Sequence, residues 1–307
     1  MIKMLRSSGI EAWPVLVMSR GLGTKLPIPY FGFNHLIAGT VIDKDTIFVD
    51  PSDVPFPPHH SLGIDLSGQP CLNITSKEQS NLYMLPDFTP EERIIERFVK
   101  LKYKDSTQFE ISNRSLRYNV RAGYRRSSFK QYSPSELKNT METGISERWS
   151  IRCMLDSIEI DSLYSVDTVF SEKWFGKAFL NVQDVSDIKI IRIPDMSIFN
   201  EAFIPLLTDN GSRDLPVDPR DYTGIYDFQV VIETPESFGS PEIGDRYELA
   251  DSLYTFEHFS EWNPDNRKFT LHYRLKILDG LAEPQGFIDF AQKVTEIFDK
   301  PVVFKAK

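Results

Sequence analysis

The sequence predicts a β-rich protein of the α+β class, in which a short α/β segment precedes antiparallel sheets packed as a sandwich. The 307 residues are 41% hydrophobic and 26% charged, which is typical of a globular chain with a sizeable core. From about residue 72 onward, apolar and polar side chains alternate with the period of half-buried strands. Two stretches with helical spacing interrupt this alternation. A sandwich is an economical way to cover two such sheets.

The charge balance and the residue content exclude several classes of function. The chain holds 35 Lys and Arg against 44 Asp and Glu, a formal net charge of −9, whereas nucleic-acid binding needs a positive surface. Its two cysteines, Cys71 and Cys153, are too few for a disulfide framework or a zinc finger. The apolar run over residues 13–18 is far shorter than the roughly twenty residues of a membrane-spanning helix. We therefore expect no nucleic-acid partner, no transmembrane segment, no metal and no cofactor.

The first expected module covers residues 1–70 and opens on the end of a helix. Ile2, Leu5 and Arg6 have helical spacing. Gly9 stands where a left-handed residue ends a helix. A helix that begins at the first residue lacks its own start, and the first six residues do not have the order of a secretory signal. We therefore expect the chain to be a fragment of a longer protein.

A strand and a hairpin follow in the same module. Residues 11–18 are strand-like. The β-rich runs 34–42 and 46–50 flank the turn Asp43-Lys44-Asp45, which predicts two paired strands. His35 stands near the start of the first of these strands, and Asp50 stands at the end of the second.

His35 and Asp50 are the candidate catalytic residues. In a hairpin, the start of one strand and the end of its partner lie side by side. An Asp beside a His fixes the tautomer of the imidazole and stabilises its charged form, as the base of a nucleophile–His–Asp triad requires. From the spacing alone, a histidine that makes only a structural hydrogen bond is the more common case. Both interpretations stay open at this point.

Two further β-rich modules are expected, over residues 71–187 and 188–307. The polar, turn-rich residues 184–187 and 210–220 are the candidate linkers. The alternation is clearest in three runs, which are 99–104, 228–233 and 268–277.

Two helices are expected within these modules. Ser133 and Glu136 form a capping box with proline at the first helical position, and the helix is expected to end at Gly144. Near the C-terminus, six apolar residues share one helical face, which should pack on a sheet. They are Phe287, Phe290, Ala291, Val294, Ile297 and Phe298.

A basic run interleaved with aromatic residues precedes the first of these helices. Its cations are Arg114, Arg117, Arg121, Arg125, Arg126 and Lys130. Such a run could bind an acidic polymer or lipid head groups. On a chain of net charge −9 it is more often a solvated face that balances charge, and this second interpretation is favoured.

Three runs of residues resemble a known family. They are Met4 to Val17, Phe33-Asn34-His35 and Phe48 to Asp53. They are similar to the second half of a transglutaminase-like domain of the bacterial type, within the papain-like thiol enzyme superfamily. The resemblance implies that His35 is the general base and that Asp50 orients it. It also implies a nucleophilic cysteine at the start of the helix whose end opens this chain.

The rest of the chain resembles the β-rich region that follows such domains in bacterial proteins, a region of unknown function. The similarity rests on weak motifs at 213–218, 273–276, 287–298 and 301–303. Relatives with this arrangement are often exported. The resemblance therefore implies a periplasmic or extracellular location for the full-length protein.

Neither cysteine of the chain fits the place of the family's nucleophile. That cysteine is expected about three helical turns, or about eleven residues, before Met4, which falls before Met1. Cys71 stands at a strand start, and Cys153 also lacks the helix N-terminus that makes a thiol reactive. Both are expected to pack as small hydrophobic residues. The chain then has a base and an orienting carboxylate but no nucleophile.

We therefore predict a fragment of a transglutaminase-like cysteine acyltransferase or amide hydrolase that is inactive by itself. In the full-length protein the partner would be a protein or peptide substrate. The alternative is a non-catalytic β-sandwich protein of the cell envelope that binds a partner or acts as a scaffold. Loss of half of a thiol-enzyme core should leave apolar surface around Trp13, Leu16 and Leu36. The sequence does not indicate an oligomeric state.

Overall fold

The computed structural model describes residues 1–19, 32–51, 62–75, 82–161, 163–194, 222–278, 280 and 282–306. Strands dominate these ranges and form three sheets, of five, eight and four strands. The β-rich α+β class predicted from the sequence is confirmed. Within the same ranges, no helix combines the length and the apolar content that crossing a bilayer requires.

The five-stranded sheet contains the predicted hairpin and is preceded by a short helix. The bounds are α1 Ile2–Ser7, β1 Ala12–Val17, β2 His35–Ile42, β3 Asp45–Val49, β4 Pro70–Asn73 and β5 Leu82–Met84. The strands lie in the order β3-β2-β1-β4-β5, and each neighbouring pair is antiparallel.

Two left-handed turns shape this sheet as the sequence predicts. Gly9 has a φ of 79°, and the Ile10 N–H donates to the Leu5 carbonyl at 3.0 Å, which closes α1. Asp43 and Lys44 have φ values of 51° and 77°, the positive pair that a tight hairpin between twisted strands requires. The hairpin is confirmed, and its turn is one residue shorter than predicted because β3 already begins at the next residue.

The eight-stranded sheet forms the centre of the molecule. Its bounds are β6 Ile94–Asp105, β7 Gln108–Tyr118, β8 Arg152–Ile160, β9 Val169–Phe179, β12 Gly224–Glu233, β14 Tyr247–Ala250, β15 Tyr254–Asn263 and β16 Lys268–Ile277. The order is β14-β15-β16-β12-β6-β7-β9-β8, and β6 and β12 are parallel. The prediction of antiparallel sheets is wrong at this pair. Side chains alternate in the same way in both kinds of sheet, so the pattern could not distinguish them.

One face of this sheet is covered by helices and by the four-stranded sheet. The bounds are α2 Val120–Lys130, α3 Pro134–Arg148, α4 Pro284–Phe298, β10 Val182–Val185, β11 Ile188–Ile191, β13 Phe238–Pro241 and β17 Val302–Ala306. The small sheet has the order β10-β11-β17-β13. The predicted C-terminal helix is confirmed, and its six predicted apolar residues are buried.

Aromatic contacts show how the covering elements divide the sheet. On the β9 side, Trp149, which ends α3, packs on Trp174 with ring centroids 5.8 Å apart. On the β15 side, Phe290 of α4 stacks on Tyr254 at 4.4 Å. The central strand β6 lies between the part of the sheet that packs on α3 and the part that packs on α4. The Arg97 side chain of β6 lies on the covered face. The opposite face of the sheet carries polar side chains, as the alternation predicts, together with the exposed rings of Phe98 and Phe175.

Helix α3 begins as predicted and ends later. The Ser133 N–H donates to Glu136 Oε2 at 2.9 Å, and the Glu136 N–H donates to Ser133 Oγ, so the capping box is confirmed. The predicted end at Gly144 is wrong, since the helix continues to Arg148. Ile145 is buried, and the continued helix keeps its side chain against the core.

The linker predicted at 184–187 is a hairpin turn. Val185 pairs with Ile188, and Ser186 takes a φ of 53° between them. Polar turn residues are used here to join paired strands, so this part of the prediction is wrong. The other candidate linker, 210–220, lies outside the described residues.

The eight-stranded sheet takes strands from both expected modules, 71–187 and 188–307, and β4 and β5 belong to the five-stranded sheet. Sheet membership thus does not follow the expected boundaries.

Candidate active site

Strands β2 and β3 bring His35 and Asp50 together at one end of the five-stranded sheet. Ala38 pairs with Val49, so Asp50 follows opposite Ile37. His35 lies two residues before Ile37 and points to the same face. His35 is therefore the diagonal neighbour of Asp50 across the hairpin. Long side chains can bridge the distance between such diagonal positions.

Asn34 fixes the backbone immediately before the histidine. Its Nδ2–H donates to Ser19 Oγ at 2.8 Å, and its Oδ1 accepts from the Ser19 N–H at 2.9 Å. These contacts tie the start of β2 to the residues that follow β1. The sequence pattern contains Asn34 but gives no sign of this positioning role.

The imidazole and the carboxylate are in direct contact. His35 Nε2 lies 2.6 Å from Asp50 Oδ2, so the expectation that the two residues lie side by side is confirmed. The His35 side chain is 29% exposed, whereas that of Asp50 is 5% exposed. With the proton on Nε2 donated to the carboxylate, Nδ1 is the ring nitrogen that can accept a proton. Among the described residues, no hydrogen bond to Nδ1 is found.

The pair stands at the margin of an apolar layer. The same sheet face carries Val15, Val17, Ile37 and Phe48, all buried, and residues 62–66 cover it with two leucines. The carboxylate is thus shielded from water, while one edge of the imidazole reaches the surface. This is the arrangement in which an ion pair is strengthened by low dielectric and remains accessible to a reacting group.

Cys71 lies on the same face but outside the reach of the imidazole. Val17 pairs with His35 on one side and with Cys71 on the other, so two strand spacings, about 10 Å, separate the two backbones. The thiol is fully buried. Burial raises its pKa to about 11, against a hydrogen bond with Tyr83 that lowers it. The prediction that Cys71 packs as a hydrophobic residue is confirmed.

Cys153 is equally removed from the candidate site. It lies on β8 of the eight-stranded sheet and is 3% exposed. Burial, with a smaller contribution from the Glu142 charge, raises the pKa of this thiol to about 12. Neither thiol of the chain can serve as a nucleophile beside His35.

The basic run is not the solvated face that its sequence suggests. Arg126 is 1% exposed and donates to the carbonyls of Asp167 and Val169 at 2.7 and 2.6 Å. Arg125 makes two hydrogen bonds to Glu172, at 2.6 and 3.1 Å. Arg126 points from α2 into the core, and the partly buried Arg125 turns toward the buried Glu172, so the interpretation as a solvated face is wrong for both. Their spacing places them on the inner side of α2. Arginine is seldom buried, so the sequence pattern alone favours an exposed position.

Part of the predicted pattern lies outside the described residues. This applies to Ser52 and Asp53 of the run after Asp50, and to the weak motif at 213–218. In the ranges that the structure covers, no three His, Cys, Asp or Glu side chains are grouped so that they could hold a metal ion.

Comparisons with known proteins add little to this geometry. No protein-family model matches the sequence, and no curated protein matches it. Among solved structures, the chain is similar to the crystal structure of a "putative protease" from Parabacteroides distasonis, with 8% sequence identity and a TM-score of 0.49. The similarity covers 99% of this chain and 42% of that one, so this chain spans less than half of that protein's length. A likeness of this strength carries no argument about function. Fold and site define a β-rich α+β protein with a partly exposed His–Asp pair.

Proposed function

We propose that the five-stranded sheet is a papain-like half-domain that supplies the base and the orienting carboxylate of a transglutaminase-like cysteine acyltransferase or amide hydrolase. The observation that carries the proposal is the 2.6 Å contact of His35 Nε2 with Asp50 Oδ2. It leaves Nδ1 as the proton acceptor. The nucleophilic thiol would come from polypeptide other than these 307 residues, since Cys71 and Cys153 are both buried away from His35.

The proposed mechanism divides the proton chemistry between the two ring nitrogens. His35 Nδ1 takes the proton of the thiol as sulfur attacks the carbonyl carbon of a carboxamide or peptide, and Asp50 stabilises the imidazolium through Nε2–H. The imidazolium then gives this proton to the departing amine as the C–N bond breaks, which leaves a thioester. An amine or a water molecule attacks the thioester and loses a proton to Nδ1. The thiolate departs and is protonated again by the imidazolium.

An exposed row of leucines supports the proposal that further polypeptide packs here. The strand registers place four leucines side by side on β2, β1, β4 and β5, namely Leu36, Leu16, Leu72 and Leu82. The row lies on the sheet face opposite His35. Leu36 is 52% exposed and Leu82 is 64% exposed. A contiguous apolar row on a sheet is typical of a surface that another element or chain covers.

The first test gives this chain a thiol beside His35. Val17 pairs with His35, and Val15 pairs with Ile37, and both valines are fully buried. We expect the Val17→Cys thiol to react with iodoacetamide at neutral pH about tenfold faster than the Val15→Cys thiol, because a neighbouring imidazolium stabilises a thiolate. Peptide mapping by mass spectrometry separates these thiols from the two native ones. Addition of His35→Ala should abolish the difference. Equal rates in the two single variants would contradict the proposal.

The second test measures acyl transfer directly. The 307-residue chain is incubated with an amide donor and an amine acceptor, beside a version extended by any in-frame residues that precede this sequence in the natural gene. We expect no thioester in the 307-residue chain. In the extended version, His35→Ala should lower the rate by about 10²–10⁴-fold, the usual contribution of a general base. Thioester formation by the shorter chain, or a gene that begins at Met1, would overturn the proposal.

The alternative is a non-catalytic binding or scaffold protein of the cell envelope. In that case the His35–Asp50 contact would only brace the hairpin, and the extended version would form no thioester. The periplasmic or extracellular location is part of both proposals and rests on the family resemblance alone. Fractionation of the natural host, with an antibody against this chain, tests it.

A further inference from the structure

A cavity of about 230 Å³ lies between the α2–α3 helices and the eight-stranded sheet. It is far larger than the roughly 10–15 Å³ that a single buried water needs. Asn113 on β7 and Glu172 on β9 contribute to its floor, and Phe129 and Trp149 contribute to its helical wall. The residues that line it lie outside the five-stranded sheet, so this site is separate from the His35–Asp50 pair.

Two buried side chains on this cavity have polar atoms without a hydrogen-bond partner. Asn113 is 3% exposed, and neither its Nδ2 nor its Oδ1 has a partner among the described residues. Trp149 is 5% exposed, and its Nε1–H is also without a partner there. Leaving a buried polar group unsatisfied costs stability, so such groups in native proteins usually meet water or a ligand. Here one carboxamide and one indole N–H border the same space.

The lining of the cavity is cationic, although the whole chain has a net charge of −9. Arg97, Arg125 and Arg148 line it together with one acidic residue, Glu172. Both oxygens of Glu172 already accept hydrogen bonds from Arg125. Arg97 is 7% exposed and lies beside Ser115, with Nε 3.3 Å from Ser115 Oγ. Positive charge therefore exceeds negative charge in a cavity that is partly open to solvent, with Gln131, Thr140 and Arg148 exposed at its edge.

Part of the remaining wall is aromatic. Trp149 and Trp174 pack on each other, and the Arg125 guanidinium lies over the Phe129 ring at 4.1 Å from its centroid. A ligand in this cavity would thus meet apolar surface on one side and arginine, carboxamide and indole groups on the other. Apolar surface beside convergent polar groups is a feature of small-molecule sites, and here the polar share of the lining is large.

We propose that this cavity binds a small carboxylate that also carries an amide and an apolar side chain, which is the chemistry of an N-acylated amino acid. The carboxylate suits the planar donors of Arg97. The amide of such a ligand offers both the donor and the acceptor that the Asn113 carboxamide needs. The apolar side chain packs on the tryptophans. Inorganic phosphate would match the charge but would leave the aromatic wall without a contact.

The experiment is isothermal titration calorimetry of the full chain with N-acetyl-L-leucine. N-acetyl-L-leucinamide, its neutral analogue, and inorganic phosphate are titrated in parallel. We expect saturable binding of N-acetyl-L-leucine that is about tenfold or more tighter than that of either control, because hydrogen bonds to charged groups are the stronger ones. Absence of saturable binding at millimolar concentration, or preference for phosphate or for the neutral amide, would overturn the proposal.

Two variants locate the binding within the cavity. Arg97→Gln should weaken binding by about tenfold. Arg114→Gln, on the exposed face of the neighbouring strand β7, is the matched control and should leave binding unchanged. Equal effects of the two would place the ligand elsewhere and overturn the assignment.

Asn113→Leu keeps the test decisive if Arg97→Gln fails to fold. It replaces the carboxamide by an apolar group of similar shape, so it should raise the melting temperature while it weakens binding. A lower melting temperature with unchanged binding would mean that Asn113 has a purely structural partner, which contradicts the proposal.

Discussion

Two carboxylates of this protein are held at the same distance, and with similar burial, by basic side chains of different chemistry. Asp50 meets His35 at 2.6 Å, and Glu172 meets Arg125 at 2.6 Å. Glu172 is buried, and Arg117 Nη2 lies 4.0 Å from Glu172 Oε1. The Arg125–Glu172 pair ties α2 to β9. His35 is 29% exposed and has a second ring nitrogen directed away from its carboxylate.

The comparison separates a structural pair from one that is suited to chemistry. An arginine keeps its proton at any ordinary pH, so the Arg125–Glu172 pair can only hold charge in place. An imidazole can exchange its proton near neutrality, and the partial exposure of His35 lets a reacting group approach. Contact distance and exposure do not distinguish the two roles, since the Arg125 side chain is 26% exposed and that of His35 is 29% exposed. The capacity of the basic group to give up a proton does.

The largest effect should follow from breaking the Arg125–Glu172 pair. Glu172→Gln removes the charge of a carboxylate that is 2% exposed and leaves the partly buried Arg125 without its counter-charge, and we expect a loss of about 3–5 kcal/mol in the free energy of unfolding. Urea unfolding followed by circular dichroism measures it. Glu159→Gln removes an exposed carboxylate, 3.7 Å from Lys173 on the outer face of the same sheet, and should change stability by less than about 0.5 kcal/mol. A similar loss in both variants would contradict the structural role.

The same pair predicts a response to acid. Burial acts to raise the pKa of Glu172, but the charges of Arg125 and Arg117 hold it below the ordinary value of 4.5. A carboxyl whose pKa is depressed in the folded state contributes stability above its unfolded pKa and loses it as the pH falls. Wild-type protein should therefore lose more stability than Glu172→Gln when the pH is lowered from 4.5. Parallel pH curves for the two proteins would contradict this origin of the pKa shift.

Another prediction separates the two faces of the five-stranded sheet. Ile37 is 1% exposed beneath the His35–Asp50 pair, and Ile37→Ala should cost about 2–5 kcal/mol in the free energy of unfolding. Leu36, the preceding residue, is 52% exposed, and Leu36→Gln should change stability by less than about 0.5 kcal/mol. Chemical denaturation measures both. A large loss in Leu36→Gln would mean that this chain covers its own leucine row.

A further prediction concerns a variant that weakens the His35–Asp50 pair. Asp50→Asn keeps the shape of the side chain but removes the charge that strengthens the hydrogen bond to His35. We expect a loss of about 1 kcal/mol, which is smaller than the effect of Glu172→Gln because an imidazole, unlike a guanidinium, can be neutral when its carboxylate partner is removed. Asp45→Asn, at the exposed start of β3, is the matched control for denaturation. No loss in Asp50→Asn would show that the contact adds nothing to folding.

The smallest effect concerns the thiol of Cys71, which pairs with Val17 on the side of β1 opposite His35. Burial raises the pKa of Cys71 from the ordinary 9.0 to about 11. A group whose pKa is raised by folding contributes stability below its unfolded pKa and loses it between the two values. Wild-type protein should therefore lose stability from pH 9 to pH 11, and Cys71→Ala should lose less. Denaturation midpoints measured at both pH values decide the point, and equal losses would exclude Cys71 as the source.

The elements of this fold were largely visible in the sequence because they depend on local patterns. The Gly9 turn, the β2–β3 hairpin, the capping box at Ser133 and the apolar face of α4 all follow from residue spacing and were confirmed. The contact of His35 with Asp50 followed from the hairpin itself. The exposed surface predicted around Leu36 was also found, whereas Trp13 packs partly against the buried layer.

The remaining features depend on contacts between distant segments. The parallel pairing of β6 with β12 and the row that joins His35, Val17 and Cys71 are set by registers between strands far apart in the chain. The cavity between α2–α3 and the sheet needs Asn113 and Trp149 to meet from different elements. Periodicity indicates which face of an element is buried but not which partner buries it.

The parallel contact between β6 and β12 has a consequence for the order of folding. On one side β6 pairs with the adjacent β7, and on the other β15 pairs with the adjacent β16, so each half of the sheet can begin from a local hairpin. Pairing of β6 with β12, the seam between the halves, requires the chain between them, which includes α2, α3 and β7 to β11, to form a long loop. Closing a long loop costs conformational entropy, so this pairing should be slow. Hydrogen-exchange labelling during refolding should therefore protect the hairpins first and the seam last. The arginine of β6 at this seam would reach its final position only in that late step.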